Sequence, residues 1–134
     1  MTQSFNLSTE RSGLYDVTAM AEEALVASKI TEGMLLVSVP HSTAAVTVVS
    51  PWDERGFEDI NDEVNRLVPT RIDFKHQHDT PQDAAGHIKA AIIGHSRMFF
   101  VSQGKIGLGH SQRIYFFEFD GPRKRTVQVQ VIGK

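Results

Sequence analysis

The chain contains no cysteine, no long apolar run and no excess of positive charge. The absence of cysteine excludes disulfides and thiolate metal sites, so any metal must be bound by histidine, carboxylate or backbone oxygen. A transmembrane helix needs about 20 apolar residues in succession, and because no such run exists we expect no membrane partner. The N-terminal segment lacks the apolar stretch of a secretory signal. Together with the lack of cysteine, this favours a cytoplasmic location.

The charge balance argues against a nucleic-acid partner. The 14 lysine and arginine residues are outnumbered by 16 aspartate and glutamate residues, and the formal net charge is -2. A nucleic-acid-binding domain normally carries a strongly basic surface. The 40% of hydrophobic and 22% of charged residues are typical of a globular protein. A length of 134 residues suits one hydrophobic core, so we expect a single domain over residues 1–134.

The hydrophobic periodicity predicts an α+β protein in which strands outnumber helices. Alternating or continuous β-prone residues predict strands over residues 4–9, 34–39, 43–49, 98–102, 112–119 and 126–132. Helical spacing predicts three helices. Their expected N-caps are Asp16, Asp53 and Asp83. Their expected ends lie near Gly33, Pro69 and Gly94. In the third helix, we expect Ala84, Ile88, Ala91 and Ile92 to face the core.

Residues 75–89, KHQHDTPQDAAGHIK, carry three of the six histidines. Asp83 and His87 are one helical turn apart, so the carboxylate could fix the tautomer of that imidazole. His41 follows a predicted core strand, where rigid scaffolds often present functional groups. Three neutral imidazoles from His41, His76 and His87 would suit a divalent transition metal. Surface histidines in a polar loop explain the same spacing, and we assign no role to His78 or His95.

Two further segments have open interpretations. In GKIGLGHSQR, residues 104–113, glycines let backbone amides approach an anion, but a hairpin with two turn glycines fits equally well. In the acidic second helix, Asp59 and Glu63 are one turn apart and could hold magnesium, although oxygens on one helix face do not identify a site. The basic run from Arg123 could bind phosphate or form a solvated strand start.

Three segments occur in a recognisable order: PHSTAAVTV (40–48), HIKAAIIG (87–94) and GKIGLGHSQRIYFFEFDGPRKR (104–125). Together they resemble the YjbQ-like family of small proteins, also called secondary thiamine-phosphate synthase enzymes. The resemblance covers most of the chain, and the last segment is its most specific part. Two segments depart from the family pattern, namely Val49-Ser50-Pro51 and Gly109-His110-Ser111-Gln112. These departures could change the substrate or the number of metal ligands.

The resemblance implies a β-rich sandwich of mainly antiparallel strands that assembles as a homotrimer, with sites near the subunit interfaces. It implies metal ligation by His41, His76 and His87, with zinc the favoured ion and magnesium the alternative. It also implies catalytic roles for His41, His87 and Asp59. The residues expected to bind a small phosphorylated ligand are Ser42, Thr43, Lys89, Gly109, Gln112 and Arg123, with Arg113 as a further phosphate contact.

The leading functional hypothesis is a metal-binding enzyme that acts on phosphorylated or diphosphorylated small molecules. For the family, the implied reaction joins a hydroxymethylpyrimidine diphosphate to a thiazole phosphate and releases pyrophosphate. A metal and cationic side chains would stabilise the charge on the leaving diphosphate. One alternative is a metal-dependent hydrolase. The other is a trimeric module that binds a metal or an anion without catalysis.

Overall fold

A computed structural model describes all residues from Met1 to Lys134. The chain forms eight strands and three helices. In chain order these are β1 (Gln3–Thr9), β2 (Gly13–Asp16), α1 (Thr18–Ser28), β3 (Gly33–Ser38), β4 (Ala44–Val49), α2 (Glu54–Leu67), α3 (Pro81–Ile93), β5 (Ser96–Ser102), β6 (Lys105–Ile106), β7 (Arg113–Glu118) and β8 (Arg123–Gly133). The α+β class is therefore confirmed, with strands in the majority.

All strand pairs are antiparallel, and they form two sheets. The larger sheet has the order β1-β8-β3-β5-β6, and the smaller one has the order β2-β7-β4. Both sheets contribute to one hydrophobic core, with Leu35 and Val129 from the larger sheet and Val46 and Phe116 from the smaller. Helix α1 adds Leu25 to the same core. The predicted strands are confirmed, with ends displaced by three residues at most, whereas the short strands β2 and β6 were not predicted.

The helix starts differ from the expected caps in two of three cases. Asp53 caps α2 as predicted, since its side chain accepts a hydrogen bond from the amide of Arg55. Helix α1 begins after Val17, and Asp16 accepts from the amide of Thr18 at 2.9 Å. Helix α3 is capped by Thr80, whose hydroxyl accepts from the amide of Asp83 at 3.1 Å. The carboxylate of Asp83 is therefore available for other contacts.

The inward face of α3 is not the predicted one. Ala84 is buried, but Ile88 and Ile92 are 39% and 69% exposed. The reason is a close approach at Gly86, where a Cβ atom would lie 3.3 Å from Cβ of Phe119. Small residues on that side let α3 lie tightly on the smaller sheet, which fixes the rotation of the helix.

None of the three helices combines the length and the apolar character that spanning a membrane requires.

Candidate metal centre

Two histidines and one aspartate converge at the start of α3. The Nε2 atom of His76 and the Nε2 atom of His87 each lie 3.2 Å from Oδ2 of Asp83. One potential ligand atom from each of the three residues lies within 4.8 Å of the others. We call these three residues the His76 cluster. The structure thus brings together two of the three predicted metal ligands and adds a carboxylate between them.

Local structure places each member of the His76 cluster. Thr80 caps α3 and Pro81 occupies its first turn, which sets Asp83 in that turn and His87 one turn later. Side chains four residues apart on a helix share a face. His76 comes from the irregular segment that joins α2 to α3. Its ring lies edge-on to the ring of His87, with the centroids 5.1 Å apart.

Asp83 is the buried member of the cluster and its negative centre. The residue is 7% exposed. Burial by itself would raise the pKa of this carboxyl, but the hydrogen bond from His76 and the charge of His87 outweigh it, and the pKa of Asp83 is lowered. The side chain of Asp120 lies beside Asp83. Asp120 is itself held by Arg123, whose Nη2 donates to Oδ2 at 2.7 Å.

The spacing of the cluster suits a tetrahedral metal. Ligand bonds of about 2.0–2.1 Å to zinc give a separation of about 3.3 Å between ligand atoms. Both distances from His76 and His87 to the carboxylate of Asp83 are 3.2 Å. The imidazole side chains are 47% and 39% exposed, so one side of the cluster faces solvent. The donor set is therefore the kind that zinc takes in sites with an open coordination position.

A cleft of about 530 Å³ lies against the two histidines of the cluster. Its wall includes two basic residues, Arg71 and Lys75, and one acid, Asp73. The Nε atom of Arg71 lies 3.1 Å from Asp73, and its guanidinium carbon lies 4.7 Å from the ring centroid of Phe74. Lys75 has no acid within ion-pairing distance and is exposed. The cleft can therefore offer the positive charge of Lys75 to an anionic ligand.

His41 does not belong to the His76 cluster. Its Nε2 accepts a hydrogen bond from the amide of Thr126 in β8 at 2.9 Å. Its ring lies edge-on to Phe116, with the centroids 6.3 Å apart. Burial, followed by the charge of Arg125, lowers the pKa of His41. The neutral ring thus accepts a hydrogen bond from the backbone of β8. The roles of His41 as metal ligand and catalytic group stay predictions.

The two hydroxyl residues after His41 differ in environment. Ser42 is exposed, whereas Thr43 is 6% exposed. The Oγ1 atom of Thr43 accepts from Nη2 of Arg125 at 2.9 Å. Arg125 also forms a buried ion pair with Glu118. Thr43 is therefore part of a buried hydrogen-bond network with Arg125 and Glu118.

The glycine segment lines a second cleft, of about 540 Å³. The amide of Gly109 donates to Oε1 of Gln112 at 2.7 Å, which closes the turn before β7. Arg113, also in its wall, pairs with Asp16 at 2.5 Å. The two departures from the family pattern meet here. Trp52, which directly follows one of them, donates from Nε1 to Ser111 Oγ at 3.0 Å, and its ring centroid lies 5.3 Å from that of His110.

The remaining predicted residues lie outside the His76 cluster. Lys89 is buried on another side of α3, where its Nζ donates to Asn65. Arg123 touches the cluster indirectly, through Asp120. Asp59 is exposed on α2, and its predicted partner Glu63 pairs with Arg66. The predicted roles of these residues in ligand binding and catalysis remain predictions.

Sequence reasoning did not identify three residues that surround the cluster. Arg71 and Lys75 lie in an irregular segment whose path a hydrophobic pattern does not reveal. Asp120 was visible only as part of the DGPR turn. The spacing of four between Asp83 and His87 was the signal that did identify part of the site.

Comparisons with known proteins find one family over nearly the whole chain. The family model described as "UPF0047 protein YjbQ-like" matches residues 3–134. The UPF0047 protein MJ1081 of Methanocaldococcus jannaschii is 35% identical over 92% of this chain and 88% of its own length. The UPF0047 protein YugU of Bacillus subtilis is 33% identical over 93% of each chain.

Solved structures are also similar to this chain over its whole length. The hypothetical protein APE1520 from Aeropyrum pernix has a TM-score of 0.94 at 40% identity, covering 100% of this chain and 99% of its own. A YbjQ-like protein of unknown function from Sulfolobus solfataricus also has a TM-score of 0.94, at 31% identity, covering 100% of this chain and 97% of its own.

Proposed function

The chain belongs to the UPF0047 family of YjbQ-like proteins, and from this premise we propose that it is a metal-dependent enzyme acting on phosphorylated small molecules. The proposed ligands are His76, Asp83 and His87, and zinc is the favoured ion. The observation that carries the proposal is the convergence of two imidazole nitrogens on one buried carboxylate oxygen, each at 3.2 Å.

The donor set favours zinc over magnesium. Imidazole nitrogen is a good ligand for zinc, whereas magnesium prefers an octahedron of oxygens. Three protein ligands leave a position open, as in hydrolytic and transfer enzymes that use zinc. Zinc held there would polarise a phosphoryl oxygen or lower the pKa of a water molecule. The buried carboxylate of Asp83 would offset part of the charge of the ion.

The cleft beside the cluster supports an anionic substrate. Arg71 and Lys75 line it together with His76 and His87. Arginine and lysine both bind phosphate, arginine through its planar fork and lysine as a point charge. A phosphate in this cleft would lie near both basic side chains and the proposed metal ligands. This arrangement favours transfer or release of a phosphorylated group.

The resemblance to secondary thiamine-phosphate synthases supports one specific reaction. In it, a hydroxymethylpyrimidine diphosphate joins a thiazole phosphate and pyrophosphate leaves, so the basic residues of the cleft would stabilise the leaving group. A metal-dependent phosphate-ester hydrolase is the second candidate, supported by the solvent-facing side of the cluster. A trimeric module that binds metal or anion without turnover is the third.

We also propose that the chain assembles as a homotrimer. The outer face of the larger sheet carries large apolar side chains that are mostly exposed, with Phe100 72%, Ile132 64% and Met98 59% exposed. They are neighbours through β3, because Met34 pairs with both Phe100 and Ile132. A contiguous exposed apolar surface of this kind is typical of an interaction face.

Turnover by the zinc-loaded protein tests the proposed enzyme. Separate reactions supply the pyrimidine diphosphate with the thiazole phosphate, and a panel of phosphate esters. We expect activity in one of the two, and we expect His87→Ala to abolish it. The matched control is His95→Ala, because His95 is exposed and lies outside the cluster. Zinc binding without turnover in either reaction would favour the non-catalytic module, and full activity in His87→Ala would exclude the proposed site.

A further inference from the structure

Lys89 is a buried lysine on a different side of α3 from the His76 cluster. Successive residues turn by about 100° around a helix, so Lys89 and His87 point in nearly opposite directions. Lys89 is only 6% exposed. Its Nζ donates to Oδ1 of Asn65 in α2 at 2.5 Å and lies 5.7 Å from the ring centroid of Phe119. The ammonium group is therefore enclosed between two helices and the end of β7.

The charge of Lys89 has no anionic partner. None of the ion pairs in the chain involves this residue. Glu118 is the one acid near it in the same cavity, and its carboxylate accepts from Arg125, from Thr9 and from the amide of Asp120. An ammonium group has three donors, and Lys89 uses one, on a neutral amide. Fully buried lysines are rare unless paired.

The surroundings of Lys89 form a small polar cavity of about 260 Å³, which we call the Lys89 pocket. Apart from Lys89, Glu118 and Phe119, its lining consists of neutral hydroxyl and amide side chains: Ser12, Asn61, Asn65, Thr70 and Gln82. Such groups can donate hydrogen bonds to an anion without repelling it. The volume is below the roughly 300–1,000 Å³ of sites for drug-sized ligands. The pocket therefore suits a small group.

We propose that the Lys89 pocket binds a small oxyanion, either a phosphate or a carboxylate group, with Lys89 as its charge partner. The bound oxyanion would accept the two free N–H donors of Lys89 and further hydrogen bonds from the neighbouring amides and hydroxyls. A cation would be repelled by Lys89, and an apolar ligand would leave the polar lining without partners. The site shares no lining residue with the cleft beside the His76 cluster, so the proposal stands independently of the metal.

Titration with inorganic phosphate, and separately with acetate, tests the proposal. The protein carries 13C-labelled lysine, and NMR follows the side-chain resonances. We expect the Cε resonance of Lys89 to move with at least one of the two anions. Lys89→Met should weaken anion binding about 10- to 100-fold, because it removes a charged hydrogen-bond donor. Lys124→Met is the matched control, because Lys124 is exposed and should not affect the affinity.

A second variant tests the Lys89 pocket with Lys89 itself left in place. Asn65→Asp places a carboxylate beside Lys89 with almost no change in shape. The built-in anion should then exclude phosphate and acetate from the Lys89 pocket. Two results would overturn the proposal: a Lys89 resonance that responds to neither anion, or an unchanged affinity in Asn65→Asp.

Discussion

Replacing Glu118 with glutamine is expected to destabilise the fold strongly. Glu118 is fully buried, and both of its carboxylate oxygens are saturated. Oε1 accepts from Arg125 Nε at 2.7 Å and from Thr9 Oγ1 at 2.7 Å. Oε2 accepts from Arg125 Nη2 and from the amide of Asp120 at 3.0 Å. This network ties β1 to β7 and β8 and holds the turn that carries Asp120 beside the His76 cluster.

The size of the effect follows from these contacts. In Glu118→Gln an amide NH₂ replaces one oxygen and faces an arginine N–H in either orientation, while the buried charge of Arg125 loses its partner. Breaking a buried ion pair by removing one partner costs about 3–5 kcal/mol. For a chain of this length, each kcal/mol corresponds to roughly 3–5 °C in the melting temperature, so we expect a drop of about 10–25 °C.

Thermal unfolding of Glu118→Gln and of Glu63→Gln provides the measurement and its control. Glu63 also pairs with an arginine, Arg66, but both side chains are largely exposed, and exposed pairs contribute little. Burial would raise the pKa of Glu118, but the hydrogen bonds from Arg125 and Thr9 outweigh it and lower the pKa. The contribution of Glu118 to the free energy of unfolding is therefore present above its ordinary pKa of 4.5 and is lost as the pH falls through the folded-state pKa. Equal melting temperatures for the two variants at neutral pH would refute the reasoning.

Three further predictions concern other parts of the chain. In His41→Gln, the amide oxygen of the new side chain can still accept the hydrogen bond from the backbone of Thr126. Because the folded-state pKa of His41 is lowered, the stability of the wild type should fall as the pH drops below 6.5. Urea unfolding at several pH values should show a smaller fall for the variant than for the wild type. Phe100→Lys should reduce the mass measured by light scattering, and a monomeric wild type would contradict the proposed trimer. Lys89→Met should raise the melting temperature by a few degrees in anion-free buffer, since it removes an unpaired buried charge; a lower value would indicate that Lys89 stabilises the fold.

Local signals were sufficient for most of the secondary structure. The β-rich runs predicted the core strands because residues such as Leu35 and Val37 point to one face of a sheet, and a strand of alternating burial carries its own pattern. Asp53 was predictable as a cap because its side chain acts within two residues along the chain. Strand β2 has four residues and none of them is buried, so it lacks a pattern to detect.

The rotation of α3 could not be read from its own residues. The helix has alanine or isoleucine on most sides, so several apolar faces are equally plausible. The choice depends on Gly86, whose lack of a side chain permits the close approach of Phe119, the residue that follows β7. The result was a buried Lys89 and an exposed Ile92, the reverse of what hydrophobicity predicts.

The candidate site was predictable only where its residues are close together in the sequence. Asp83 and His87 share one helix face, which their spacing indicates directly. The position of His76 depends on the path of an irregular segment, and such a segment has no hydrophobic periodicity from which its path could be predicted. The position of His41 depends on its hydrogen bond to Thr126, 85 residues along the chain, and thus on how β8 pairs in the larger sheet.

The zinc content of purified variants tests the central claim most directly. After loading with zinc and dialysis, the wild type is expected to retain about one ion per chain. His76→Ala, Asp83→Ala and His87→Ala should each lose it while the fold survives, and His95→Ala should retain it. If the wild type binds no zinc, or if His87→Ala retains as much as the wild type, the His76 cluster is not a metal site.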